Sequence, residues 1–281
     1  MYDIKKNKMK PKGGLPHVLF LTLILALLFW IPIPGLREFM GFKKFLYFLV
    51  IGFLDAVVLS YLILYSKWSG WKLIATVFVL FYGIMTFMSQ IETVVFLNYL
   101  QEIIAGKEIP KLFTEGIIIA GIFSPLAVFV YGRNKKESLV LLKKESQSPL
   151  TWIWKFFFVG IVYMLVYLLF GAFVFKPLAG EAFNQYYGAM QMPVWILPFQ
   201  ILRGILWGFM AFLILKMMRE WKKARLLTAL LFSVIMGTLL LAPNPYMPEK
   251  IRLAHFVEVS VSNFVFGWMA VTILAKKRSR N

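Results

Sequence analysis

Eight stretches of this chain are continuously apolar, at roughly residues 17–33, 45–66, 71–98, 115–131, 152–175, 193–217, 226–241 and 255–275. A helix needs about 20 residues to cross a hydrocarbon core about 30 Å thick. Inside that core every backbone donor and acceptor must be paired within the segment or around a closed barrel. The runs do not alternate between apolar and polar residues, so a barrel is excluded. The expected fold is therefore an all-α integral membrane protein, a polytopic bundle of about eight transmembrane helices. Composition agrees: 16% of residues are charged and 60% hydrophobic, whereas a soluble domain of this size carries about 25% charged residues.

The net charge of +18 would suggest a nucleic-acid surface in a soluble protein. Here the basic residues flank the apolar runs, so the charge sets topology and no nucleic-acid partner is expected. With the N-terminus inside, 22 of the 31 Lys and Arg residues fall on inside segments and eight on outside ones, and Arg203 falls within a span. The alternation holds through all eight spans, which places both termini in the cytoplasm. Residues 1–16 and 276–281 read as basic cytoplasmic tails around a single transmembrane domain, 17–275. No small-x-small cleavage site follows the first apolar run, so it reads as a retained span rather than a signal peptide. The longest inside loop, RNKKESLVLLKKESQSP, reads as a solvated connector obeying the charge rule, with leaflet binding as the alternative. The linker 97–114, LNYLQEIIAGKEIPKLFT, has room for an interfacial half-helix. The absence of cysteine removes disulfides, thiolate metal sites and Cys nucleophiles. The whole pattern suits a multi-pass protein of a prokaryotic-type plasma membrane, with membrane lipids as its immediate partners.

Ionisable residues within spans are costly, roughly 2.5–3.5 kcal/mol each at a helix centre, and usually face a cavity or a partner. Arg203 and Gln200 share one face of the sixth span. His255, Glu258 and Ser262 form a stripe at the start of the eighth, with Asn263 beside it. Tyr82, Thr86, Ser89 and Thr93 make a polar stripe on the third span, next to Glu92. All three sets fall in the outer half. The expected site is one outward-opening pocket with Glu92, Arg203, His255 and Glu258 as candidate catalytic groups. Gln200 and Asn263 are candidate substrate-binding groups, with Tyr163 and Tyr167 of the fifth span lining the site. Asp55, near the middle of the second span, is a further candidate. His17 reads as interfacial.

Two carboxylates and an imidazole suffice for general acid–base catalysis. Glu92, His255 and Glu258 could instead hold a divalent metal with an open position. Arg203 could bind a carboxylate or phosphate, as on a lipid headgroup or a small anionic substrate. The chain has no HExxH, GxSxG or Walker A pattern. The CAAX-protease family uses the same residue types, but its paired-glutamate motif EExxxR is absent, so the chain does not resemble it. Three readings follow: an intramembrane or lipid-directed hydrolase or transferase, a proton-coupled or anion transporter, and a non-catalytic lipid- or helix-binding assembly protein. The plainer alternative for the polar residues is a salt-bridge network that only fixes packing.

Overall fold

The structure is a computed structural model that describes residues 14–95, 106, 108–133, 148–188 and 193–275. Among these, nine helices follow one another and no strand occurs. They are α1 (Leu15–Trp30), α2 (Phe42–Tyr65), α3 (Gly70–Val95), α4 (Glu108–Val130), α5 (Pro149–Ala179), α6 (Glu181–Tyr187), α7 (Ile196–Met217), α8 (Trp221–Leu241) and α9 (Glu249–Leu274). Seven, α2–α5 and α7–α9, are long and apolar enough to cross a membrane. This is an all-α polytopic membrane bundle. Residues 1–13, 96–105, 107, 134–147, 189–192 and 276–281 lie outside the described residues, and so do the readings made on them; the last part of the 97–114 linker, from Glu108, forms the first turns of α4.

The first expected span, at 17–33, is α1, and it is short. Its 16 residues rise about 24 Å, less than the hydrocarbon thickness. It stops at Ile31, whose φ −62°, ψ 132° is extended, because the residue before a proline is pushed out of the helical region. In the other direction α4 and α9 start six or seven residues earlier than the hydropathy suggests. Their polar first turns, Glu108-Ile-Pro-Lys and Glu249-Lys-Ile-Arg, are helical but not apolar. The start of α5 follows local rules: Pro149 occupies the first turn, and the Ser148 hydroxyl accepts from the Thr151 N–H at 3.3 Å.

Small residues let the helices approach closely, as membrane packing without a hydrophobic driving force requires. At the α5–α7 crossing a Cβ on Gly204 would lie 2.5 Å from Tyr163 Cβ and 2.8 Å from Gly160 Cα. At the α8–α9 crossing one on Gly267 would lie 2.9 Å from Ala229 Cα. The bundle has two chemically distinct ends. One joins the C-termini of α2, α4, α7 and α9: the Lys67 N–H donates to Met217 O at 2.8 Å, Arg133 Nη2 to Ser66 O at 2.7 Å, and Lys155 Nζ to Leu274 O at 3.0 Å. Lys72, Lys216, Arg219, Lys222, Lys223 and Arg225 belong to this end too. The opposite end gathers the C-termini of α3 and α5, the short α6, and the N-termini of α7 and α9.

Arg37 and Arg252, two of the eight basic residues that the charge pattern puts on outside segments, are built into that second end. Arg252 is 4% exposed and its Nη1 donates to Leu240 O and Leu241 O at 2.5 and 2.8 Å, capping α8. Arg37 donates to Leu28 O and Ile31 O and pairs with Glu115 on α4. Burial lowers the Arg37 pKa, against the opposing pull of the Glu115 carboxylate.

Candidate functional site

The polar residues of α3, α7 and α9 meet at this second end. Arg203, on α7, is 2% exposed, and the Gly160–Gly204 crossing brings its guanidinium 5.7 Å from the centre of the Tyr163 ring. Its Nη2 lies 2.7 Å from Glu92 Oε2 on α3 and donates to Met88 O at 2.9 Å. Its Nη1 donates to Gln200 Oε1, one turn away, at 3.2 Å. Both terminal nitrogens are therefore engaged within the protein.

A second cluster is built on α9. His255 Nε2 and the Tyr187 hydroxyl, at the end of α6, are 2.9 Å apart. His255 Nδ1 faces Glu258 Oε2 at 3.6 Å, and Phe175 stacks on the imidazole with ring centres 3.9 Å apart. Burial, reinforced by Tyr186, Glu92 and Glu258, pushes the Tyr187 phenol well above its ordinary range. With the phenol donating to Nε2, the ring proton sits on Nδ1, toward Glu258.

Tyr163 links α7 to α9, with the Arg203 guanidinium over its ring. Tyr163 also packs edge-on against Phe266 of α9, with centres 5.0 Å apart.

Two π-turns supply contacts that hydropathy and motif reading miss. In α3, Gly83–Phe87 is a π-turn closed by Met88 N–H to Gly83 O, and it delivers the Met88 carbonyl that Arg203 uses. In α5, Gly171–Phe175 is a second, and its last residue is the Phe175 that stacks on His255. Such insertions occur often at functional sites. Each starts at a glycine, a weak sequence signal that many ordinary helices share. Phe175, Tyr187 and Met88 are thus site residues that the sequence did not single out.

Other expected members go elsewhere. Asp55 is fully buried and accepts from Thr238 Oγ1 of α8 at 2.9 Å, so its partner lies outside the Arg203 cluster. Asn263 Nδ2 donates back to Val259 O at 2.9 Å. The hydroxyls of Ser89 and Thr93 likewise bond their own helix, and only Glu92 of the α3 stripe reaches Arg203. His17 stacks on Tyr131 with centres 5.5 Å apart. The expected metal set of Glu92, His255 and Glu258 is not brought together: among the described residues no three His, Cys, Asp or Glu side chains converge as ligands.

The pairing of Arg203 with Glu92 and of His255 with Glu258 is also what a purely structural network would show. Among the described residues Gln200 Nε2 and Arg203 Nε are buried without a hydrogen-bond partner, as are Ser124 Oγ and Arg225 Nε elsewhere in the bundle, and a buried unsatisfied donor costs about 1–3 kcal/mol. No protein-family model, curated protein or solved structure matches the chain.

Proposed function

We propose that this protein is an intramembrane enzyme of the hydrolase or transferase class, acting on a lipid or lipid-borne substrate. The observation that carries this reading is the His255 arrangement. One imidazole is held between a carboxylate and a phenol and clamped by Phe175. That is how a general acid–base group is kept in one tautomer and orientation. In this reading Glu258 and His255 take the proton of an attacking water or alcohol and return it to the leaving group. Arg203, with Glu92 balancing its charge, positions the substrate. The excess of Lys and Arg at the opposite end of the bundle supports a cytoplasmic position for that end and an outward-facing site in a plasma membrane.

The test is direct. The full chain is reconstituted in nanodiscs of bacterial polar lipid, and lipid species are followed by mass spectrometry. Conversion by the native protein that is lost in His255→Ala and Glu258→Gln supports the reading. Identical lipid profiles for all three refute it.

Asp55 favours a second reading. Its Oδ2, near the middle of α2, is buried without a partner among the described residues, as in a proton-coupled carrier. Proton-coupled flux in proteoliposomes that is lost in Asp55→Asn, with lipids unchanged, would select transport instead.

A further inference from the structure

We infer that the site takes an uncharged acyl carbonyl, in an ester or amide, and not a phosphate or carboxylate. This inference rests on the hydrolase or transferase reading above and specifies its substrate class. The first argument is charge. The two buried arginines at this end are already committed: Arg252 to the Leu240 and Leu241 carbonyls, and Arg203 to Glu92 at 2.7 Å. Glu258 adds a second carboxylate at this end of the bundle, 3.6 Å from His255 Nδ1. An anionic ligand would add a further negative charge to these carboxylates in surroundings of low dielectric, where repulsion is strong. An uncharged ligand brings none.

The second argument is the pattern of free donors. The two Nη atoms that would form a bidentate fork for an anion are spent on Glu92, Met88 O and Gln200 Oε1. Among the described residues the buried atoms left without a partner beside Glu92 and Arg203 are N–H groups: the side-chain amide nitrogen of Gln200, itself fully buried, and Nε of Arg203. Buried N–H groups require an acceptor. A carbonyl oxygen is an acceptor without charge, and the membrane supplies it on apolar molecules that can reach a site among helices. Donors of this kind also favour a carbonyl as it gains negative charge on attack.

The step balances without a cofactor. An attacking hydroxyl, from water or from a second membrane molecule, gives its proton to the Glu258–His255 pair as its oxygen bonds to the carbonyl carbon. The acyl C–O or C–N bond then breaks, and the leaving oxygen or nitrogen departs with that proton.

The full chain is tested in nanodiscs of ester-linked phosphatidylglycerol, of its ether-linked analogue, and of the analogue doped with an N-palmitoylated hydrophobic peptide. Products are identified by mass spectrometry. The expected result is conversion at acyl bonds of the ester lipid or the peptide, no conversion of the ether lipid alone, and loss in His255→Ala. Gln200→Leu should slow turnover by about 10²–10³-fold, the usual effect of removing one such donor. Headgroup cleavage that proceeds equally on ether lipid overturns the carbonyl assignment and leaves the hydrolase reading standing. Full activity in Gln200→Leu also overturns the assignment. No conversion in any disc refutes the enzyme reading itself, and this inference with it.

Discussion

Glu92→Gln isolates the Glu92–Arg203 pair. The exchange keeps the shape of the side chain and removes its charge, which leaves a cation that is 2% exposed on α7. Two unit charges about 4 Å apart attract by roughly 4 kcal/mol at an effective dielectric of about 20. Deleting one partner of a fully buried pair typically costs about 3–5 kcal/mol. The Glu92 side chain is 28% exposed, so part of the attraction is screened. Arg203 also keeps the Met88 carbonyl, the Gln200 amide oxygen and the face of Tyr163. The expected loss is therefore about 2–3 kcal/mol. It is measured as reversible unfolding in detergent micelles, followed by circular dichroism. In a cycle with Arg203→Leu the coupling should exceed about 1.5 kcal/mol, against an average of about 0.6 kcal/mol for hydrogen bonds between membrane helices. A Glu92→Gln protein within about 0.5 kcal/mol of native, with coupling no larger than that average, would refute the claim that Glu92 balances the charge of Arg203.

Gly204→Ala places a Cβ 2.5 Å from Tyr163 Cβ, so α5 and α7 must separate, at about 1–3 kcal/mol. Gly121→Ala, whose nearest neighbour would be 4.0 Å away, should unfold like the native protein and is the control. Thr238→Val removes the one hydrogen-bond donor to Asp55 among the described residues and should cost about 1–3 kcal/mol in the same unfolding assay. An unchanged midpoint would mean that Asp55 finds another partner. Tyr187→Phe keeps the aromatic packing but removes the hydroxyl beside His255 Nε2. The ¹⁵N resonance of that nitrogen should move in Tyr187→Phe and stay put in Tyr186→Phe, whose hydroxyl bonds the Tyr246 carbonyl instead.

Long apolar runs can only be helices in lipid, so hydropathy alone determined the helical bundle and seven of its spans. The shortness of α1 was also written in the chain, in Pro32 and Pro34, though run length obscured it. Depth was legible in the same way. A residue's position along a span fixes its height in the bundle, which is why Glu92, Arg203 and Glu258 could be placed at one level. What the sequence did not determine is azimuth, the direction in which each side chain leaves its helix toward a neighbour. The π-turns of α3 and α5 shift that direction by an inserted residue, and only the packed bundle reveals them. Tertiary contact therefore decided that Arg203 takes Glu92 rather than Glu258, that His255 meets Tyr187 and Phe175, and that Asp55 turns to Thr238. It also decided which donors stay open. An open donor is defined by every neighbour around it, and those neighbours come from helices far apart in the chain.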